Sequence, residues 1–307
     1  MSTSYGRIKQ ITDYSHDNKK CADKFGLLTE TVSRYRRKLK RVDNICETPT
    51  PKVWLFDIET LPMEVFVWGL YKQKINPDNV IKDWSICCWS AKKLFESEVI
   101  SKVITPKEAK DRSDKSIMGD LWNLFEGADI LIAHNASSFD IRKSNYRFLI
   151  NGFHPPSPYR VIDTLTASRK AFSSSSHKLD YLSQVLLRKK KIETDFKLWK
   201  RCVAGEQKAL NEMVEYNRED VRLLEEVYLE LRPWITGHPN MGLYVDLSDA
   251  DSKVCPVCAK ETLTPINNSY YTPAGKFNAY RCKCGAIARG RHNTIKDKAN
   301  LALSVAR

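Results

Sequence analysis

Short runs of β-branched and aromatic residues follow position 52 and alternate with polar or proline-containing stretches. Runs of this length and composition are typical of strands. They predict three early strands in a meander, with the sequences VWLFDIE, VFVWGLY and WSICCWSA.

Helical and strand patterns alternate along the rest of the middle of the chain. Apolar residues at helical spacing predict helices over residues 115–125, 138–150, 179–187 and 210–231. Short apolar runs predict strands at residues 129–133 and 161–162. This order indicates an α/β fold in which helices flank a mixed sheet.

Composition and charge divide the chain into three parts. The prolines Pro49 and Pro51 disfavour helix and predict an extended linker. Residues 1–52 hold 12 Lys/Arg against 6 Asp/Glu, residues 53–252 hold 28 against 29, and residues 253–307 hold 10 against 2. We expect domains at 1–50, 51–246 and 247–307, with basic ends that bind a polyanion such as nucleic acid. The alternative is that the charge serves solubility.

The sequence excludes an integral membrane protein. It has no apolar run long enough to span a bilayer, and its amino terminus, MSTSYGRIKQ, has no apolar segment typical of a secretory signal. We therefore expect a cytoplasmic protein whose nine cysteines are reduced or bound to metal.

Four acidic residues from distant parts of the chain are candidates for a metal site. Asp57 and Glu59 lie one residue apart on a predicted strand, so their side chains share one face. Asp140 lies at the start of a predicted helix, and Asp220 lies within another. Carboxylate clusters suit Mg²⁺ or Mn²⁺, and two such ions can hydrolyse a phosphodiester bond.

Three motifs in residues 53–235 resemble the DEDD family of 3′-to-5′ exonucleases, which includes polymerase proofreading domains and ribonuclease D. They are FDIET at residues 56–60, NASSFD at residues 135–140 and YNRED at residues 216–220. The last motif matches the tyrosine (DEDDy) branch, because Glu215 stands where the sister branch has histidine. The chain is similar to stand-alone exonucleases of bacteriophages, and for a phage protein the location would be the host cytoplasm.

The resemblance implies an RNase H-like fold with a mixed five-stranded sheet, and it implies roles for individual residues. Asp57, Glu59 and Asp220 would hold one Mg²⁺ or Mn²⁺ and Asp57 a second, while Asp140 supports the site. Tyr216 would orient the attacking water. The resemblance also implies nucleotide contacts for four further residues, namely Thr60, Leu61, Asn135 and Phe139.

The basic amino-terminal segment has the spacing of a helix-turn-helix at Ala22, Gly26 and Val32. Its second helix would present four candidate DNA-binding residues, Ser33, Arg34, Arg36 and Arg37. The alternative is a basic amphipathic helix that packs on the catalytic domain.

Four cysteines near the other end predict a zinc ribbon. They are arranged as C-x-x-C at Cys255 and Cys258 and as C-x-C at Cys282 and Cys284, around a predicted hairpin that turns at residues 273–275. Four thiolates favour a structural Zn²⁺ with no open position. The second knuckle is shorter than the usual C-x-x-C, and reduced free thiols are the alternative.

We predict a metal-dependent exonuclease that releases 5′-nucleotides, with single-stranded DNA favoured over RNA as its partner. Rival hypotheses are an RNA-directed exonuclease, a transposase or integrase, and a nucleic-acid-binding regulator with a vestigial nuclease core.

His134 and His177 are interpreted as structural residues. The sequence identifies no replication or recombination protein as a partner.

Overall fold

A computed structural model describes residues 11, 14, 15, 17–33, 35–36, 51–190, 194–245 and 253–295. The strands of its middle region are, in chain order, β1 (Val53–Leu61), β2 (Glu64–Val65), β3 (Val80–Lys82), β4 (Ser85–Lys93), β5 (Ile100–Val103), β6 (Ile130–Ala133) and β7 (Arg160–Asp163). Its helices are α1 (Asn18–Phe25), α2 (Pro106–Asp111), α3 (Lys115–Glu126), α4 (Asp140–Ile150), α5 (Thr164–Ala171), α6 (Leu179–Leu187), α7 (Phe196–Val203) and α8 (Gln207–Leu231).

The central sheet has five strands in the order β5-β4-β1-β6-β7. The β5, β4 and β1 strands are antiparallel neighbours, whereas β6 and β7 run parallel to β1. The predicted mixed five-stranded sheet with flanking helices is therefore confirmed. Parallel connections need a crossover, and here α4 makes the crossover between β6 and β7.

Alternate residues of β1 face two different hydrophobic clusters. Phe56 and Ile58 pack into a cluster with residues of α3, including Phe125. Val53 and Leu55 pack into a second cluster with residues of α8. Because side chains alternate along a strand, the odd-numbered positions of β1 share the face that α8 covers.

A second, smaller sheet follows the central domain. Its strands are β8 (Leu263–Pro265), β9 (Tyr270–Thr272), β10 (Gly275–Cys282) and β11 (Ile287–Asn293). The β8, β9 and β11 strands each pair with β10 in antiparallel orientation. The hairpin predicted to turn at residues 273–275 is thus present between β9 and β10. Single-turn 3₁₀ helices occur at Pro77–Asn79, Arg232–Trp234 and Met241–Tyr244.

The prediction that VFVWGLY forms the second strand of a meander was wrong. Only Val65 of that run belongs to a strand, the short β2, which pairs with β3 outside the central sheet. High β propensity reflects packing against neighbours, and this run has no sheet face to pack on. The pattern also missed several short elements, among them β3, β5, α2, α5 and α7.

The domain boundaries at residues 50 and 246 stay predictions, and the predicted linker before Pro51 lies outside the described residues. No helix in the described part of the chain combines the length and apolarity that crossing a bilayer requires.

Candidate functional site

Three carboxylates meet on the face of the central sheet that α8 covers. Asp57 and Glu59 continue the odd-numbered face of β1 beyond Val53 and Leu55. The α8 helix packs on the same face through Val221 and Leu224, and this contact brings in the neighbouring Asp220. Carboxylate oxygens of Asp57, Glu59 and Asp220 lie within 4.8 Å of one another. The three acids thus form one cluster, as the sequence predicts.

Asp140 lies beside this cluster, at the first residue of α4, and it is almost fully buried. The pairing of β1 with β6 ends at Leu55. Beyond this point the Ile58 N–H of β1 donates to Asp140 Oδ1, at 3.4 Å, instead of to a residue of β6. Burial, and then the negative charge of Asp57, raises the pKa of Asp140 well above its ordinary value. Burial and the neighbouring acids therefore disfavour a negative charge on Asp140 in the metal-free protein.

Asn217 is a site residue that the sequence analysis missed. Asn217 belongs to α8 and is fully buried. Its side-chain Nδ2 donates to Asp57 Oδ2 at 2.6 Å. It occupies a variable position of the motif at residues 216–220. The available signal was helical spacing, because Asn217 and Asp220 are three residues apart and share a face of α8.

The loop after β6 is held by Asp163 at the end of β7. Asp163 accepts hydrogen bonds from the backbone N–H groups of Asn135 and Ser137 and from two N–H groups at the start of α5. Asn135 has a positive φ of 75°, and its carbonyl accepts from the Phe139 N–H at 3.0 Å. This turn leads into α4 and places Asp140 against β1.

A cavity of about 680 Å³ opens above the acids. Its walls include Asn135 and Phe139, whose roles in shaping a substrate path stay predictions. Six polar residues that the sequence analysis did not select also line it, namely His134, Arg169, Ser176, His177, Lys178 and Asp180. The cavity therefore combines an acidic floor with a wall that carries both basic and acidic side chains.

The two histidines make defined side-chain contacts. His134 Nδ1 lies 2.9 Å from Thr164 Oγ1, and His177 Nδ1 lies 2.8 Å from Ser168 Oγ. These contacts fit the structural role inferred from the sequence, but both rings also form part of the cavity wall.

Tyr216 precedes Asp220 by one turn of α8 and is mostly buried. Its ring packs edge-on against Trp199 of α7, with 6.2 Å between ring centroids, and it lines a neighbouring groove with Leu198 and Glu215. Farther along β1, Thr60 is partly exposed, whereas Leu61 is fully buried in the core. The roles inferred for these three residues stay predictions.

The four cysteines near the carboxyl end form a second candidate metal site. Their sulfur atoms all lie within 4.8 Å, with 3.8 Å between Cys255 and Cys284 and 3.5 Å between Cys258 and Cys282. Tetrahedral Zn–S bonds of about 2.3 Å place sulfur atoms about 3.8 Å apart. Burial opposes ionisation of Cys282, but hydrogen bonds from Thr262 and the Cys284 N–H outweigh it and lower its pKa to about 6.

Gly285 follows the second knuckle in a left-handed backbone conformation. Its φ is +90°, and a Cβ atom there would lie 3.2 Å from the Pro233 ring of the central domain. Glycine therefore permits both the turn after Cys284 and close packing against Pro233. The Met241 N–H also donates to the Pro256 carbonyl at 2.7 Å, so the cysteine cluster is joined to the segment that follows α8.

The amino-terminal segment has a small hydrophobic core, and the helix-turn-helix stays a prediction. Ala22 and Val32 are buried, and Gly26 ends α1 with a left-handed φ of +63°. Ser33 accepts a hydrogen bond from the Asn18 side chain at 2.7 Å.

The Arg36 side chain donates to the Ser15 carbonyl. Ser33 and Arg36 thus help to hold this segment together, while Arg34 and Arg37 lie outside the described residues. Their roles in binding DNA stay predictions.

Comparison with known families agrees with this fold. A model described as the RNase_H superfamily matches residues 55–232, which is more than half of the chain. The chain belongs to the RNase H superfamily. The matched range begins in β1 and ends just after α8, so it includes all four acids. Membership in the RNase H superfamily points to nuclease chemistry and therefore to a nucleic-acid substrate.

No curated protein matches the chain. Among solved structures, it is similar to the family B DNA polymerase from the hyperthermophilic archaeon Pyrobaculum calidifontis, at 14% identity and a TM-score of 0.43. The similarity covers 60% of this chain and 25% of the polymerase chain. The chain therefore spans about a quarter of the polymerase that it matches.

Proposed function

We propose that this protein is a 3′-to-5′ exonuclease of the DEDDy type that releases 5′-nucleotides from single-stranded DNA. The observation that carries the proposal is the cluster of Asp57, Glu59 and Asp220 on one sheet face, with Asp140 beside it. Mutually repelling carboxylates in a partly buried site favour a bound cation, because its charge offsets their repulsion.

The chemistry of the donors fits Mg²⁺ or Mn²⁺, since every candidate ligand is a carboxylate oxygen. Asp57, Glu59 and Asp220 would hold one ion, Asp57 would contribute to a second, and Asp140 would support the site. Two such ions supply an activated water and stabilise the charge on the leaving 3′-oxygen.

The protein's own residues would orient the substrate and the water. Asn135 and Phe139 line the cavity above the acids and would guide the strand, while Arg169 and Lys178 on its wall would attract phosphate. Thr60, at the end of β1, and Leu61, through its backbone, would contact the terminal nucleotide. Tyr216 would orient the attacking water from its position one helical turn before Asp220.

The basic ends would hold the nucleic acid outside the active site. We propose that Cys255, Cys258, Cys282 and Cys284 bind a structural Zn²⁺, since four thiolates complete a tetrahedral shell. The amino-terminal segment would act as a helix-turn-helix-like module. The preference for DNA over RNA rests on the resemblance to phage exonucleases.

The test uses end-labelled DNA and RNA of matched sequence, incubated with the full chain and Mg²⁺ or Mn²⁺. We expect stepwise shortening from the 3′ end with release of 5′-nucleotides, and loss of cleavage in Asp57→Asn. The matched control is Asp111→Asn, which changes an exposed acid at the end of α2.

Other results of this assay would identify a rival function. Faster cleavage of RNA would indicate an RNA-directed exonuclease. Strand transfer by DNA ends would indicate a transposase or integrase, and tight binding without metal-dependent cleavage would indicate a regulator.

A further inference from the structure

The segment of residues 66–75, which we name the aromatic loop, exposes an unusual amount of apolar surface. Its most exposed large side chains are Trp68 at 99%, Leu70 at 89%, Tyr71 at 85% and Phe66 at 72%. Large aromatic groups normally lose contact with water on folding, so a group of them left outside the core suggests a ligand.

The base of the aromatic loop is anchored. Val65 pairs with Val80 in the two-stranded sheet, and the Phe66 N–H donates to the Asn79 carbonyl at 2.9 Å. Asn76 then caps the 3₁₀ helix that leads into β3. The loop is therefore held at both ends, while its rings point away from the core.

The aromatic loop leaves the central sheet at the edge that carries the acids. It follows β1, and its first residue, Phe66, is seven residues beyond Glu59. At about 3.4 Å per extended residue, seven residues span at most roughly 24 Å. Because β1 is parallel to β6 and β7, the loop starts from the edge at which Asp140 and the cavity lie.

The charge of the aromatic loop indicates which ligand it fits. Its sequence, FVWGLYKQKI, contains Lys72 and Lys74, both exposed, and no acidic residue. Aromatic rings that stack on bases, next to amines that neutralise phosphates, are the features by which proteins bind single-stranded nucleic acid without reading its sequence.

We propose that the aromatic loop binds the single strand upstream of the 3′ end, with bases stacked on Trp68 and Tyr71 and phosphates paired with Lys72 and Lys74. This inference rests on the proposed function, because it places the 3′ end of the same strand at the carboxylate cluster.

The test compares the full chain with its Trp68→Ala/Tyr71→Ala double variant. Binding of a fluorescein-labelled 20-nucleotide oligo(dT) is measured by fluorescence anisotropy, with Ca²⁺ in place of Mg²⁺ to limit hydrolysis. Stacking on an aromatic side chain contributes about 1–3 kcal/mol per base, so each lost ring should weaken binding by roughly fivefold or more. Trp68→Phe keeps a ring and should restore most of the affinity that Trp68→Ala loses.

The matched control is Phe95→Ala. Phe95 is 65% exposed and follows β4, where the Leu94 N–H bonds to the Val53 carbonyl at the opposite end of β1. We expect this variant to bind oligo(dT) like the unchanged chain. Thermal unfolding should be nearly unchanged in all of these variants, because the altered side chains are exposed.

Unchanged oligo(dT) binding by the double variant, or an equal loss in Phe95→Ala, would overturn the proposal. The first result would favour a protein partner for the aromatic loop. Cleavage separates this outcome from failure of the proposed function. An active enzyme with loop-independent binding refutes the loop proposal alone, whereas loop-dependent binding by a chain without nuclease activity refutes the exonuclease alone.

Discussion

The buried amide of Asn217 donates a 2.6 Å hydrogen bond to the Asp57 carboxylate. Asn217 comes from the middle of α8 and Asp57 from the middle of β1, so the bond joins the two elements that carry the acidic cluster. It holds one oxygen of the Asp57 carboxylate in place. Asn217 is therefore a positioning residue for the carboxylate that would bind both metal ions.

We predict that Asn217→Ala lowers the cleavage rate and raises the Mg²⁺ concentration needed for half-maximal activity. Loss of a residue that orients a metal ligand typically costs about 10–100-fold in metal affinity or activity. Asn217→Asp should be more damaging, because it replaces the donor with a like charge beside Asp57. Both effects are read from cleavage rates over a Mg²⁺ titration.

The control for this prediction is Asn211→Ala, which removes an exposed amide from the same helix. We expect it to leave the Mg²⁺ dependence unchanged. An Asn217→Ala variant with the unchanged chain's Mg²⁺ curve would show that the hydrogen bond has no role in positioning Asp57.

The acidic cluster should destabilise the metal-free protein. Replacing Asp57 with Asn removes one of several neighbouring negative charges, so we expect a higher melting temperature in the absence of divalent ions. Added Mn²⁺ should raise the melting temperature of the unchanged chain by binding the native state, and should raise that of Asp57→Asn much less. Asp111→Asn should respond to Mn²⁺ like the unchanged chain, and an equal response of Asp57→Asn would contradict the assignment of Asp57 as a ligand.

A buried ion pair outside the cluster should contribute strongly to stability. Arg147 Nε lies 2.5 Å from Asp114 Oδ2, and Asp114 is fully buried and also accepts from the Ile86 N–H. Asp114→Ala would leave the Arg147 charge buried without this partner, which typically costs about 3–5 kcal/mol. The free energy of unfolding, measured with urea, should fall by this amount.

The exposed pair of Lys102 and Asp120, which are 2.8 Å apart, is the matched comparison. Asp120→Ala should reduce the free energy of unfolding by less than about 1 kcal/mol, because solvent screens an exposed pair. A loss for Asp114→Ala as small as that for Asp120→Ala would show that water or rearrangement compensates the Arg147 charge.

The pattern of the sequence predicted four of the five strands of the central sheet, and it predicted the acidic cluster. Alternation along β1 places Asp57 and Glu59 on one face, and the long apolar stripe of α8 places Asp220 opposite them. Both are periodic patterns of apolar and polar residues, and each can be recognised within a single stretch of sequence. The order of such elements indicated a mixed sheet flanked by helices, whereas its five strands were implied by the resemblance to the DEDD exonucleases.

Other features depend on contacts that no local pattern reports. Phe66 and Trp68 have the composition of a strand, but the fold gives them no sheet to join, and they remain exposed. Asn217 resembles any polar helical residue until α8 is packed on β1. His134 and His177 likewise come to the cavity only through the packing of separate segments.

His238 should make stability dependent on pH. Its Nδ1 donates to the Pro239 carbonyl, so the neutral ring accepts from the Tyr228 hydroxyl at Nε2, 2.8 Å away. Burial, and then the charge of Arg232, lowers the pKa of His238.

A histidine with a lowered folded-state pKa stabilises the native state above its unfolded pKa of about 6.5, and this stability is lost as the pH falls. We predict that His238→Gln loses less unfolding free energy than the unchanged chain between pH 7.5 and pH 5, measured with urea. An identical pH dependence in both proteins would mean that protonation of His238 does not contribute.

The cysteine cluster should bind one structural zinc ion whose loss affects stability more than chemistry. Cys258→Ser removes one of four thiolates, and we predict that the purified variant contains no zinc by elemental analysis. Without zinc, residues 253–295 should become sensitive to proteolysis. The contacts of Gly285 with Pro233 and of Pro256 with Met241 would then be lost, which should lower the melting temperature of the whole chain.

Cleavage of short oligonucleotides at low temperature should nevertheless persist, because the four acids lie in the central domain. The matched control is Cys202→Ala, which removes a buried thiol from α7 and should retain zinc. Zinc retained by Cys258→Ser would show that the other ligands suffice. A zinc-free variant that is folded at the assay temperature but has lost cleavage of short oligonucleotides would show that the carboxyl-terminal sheet contributes to the active site.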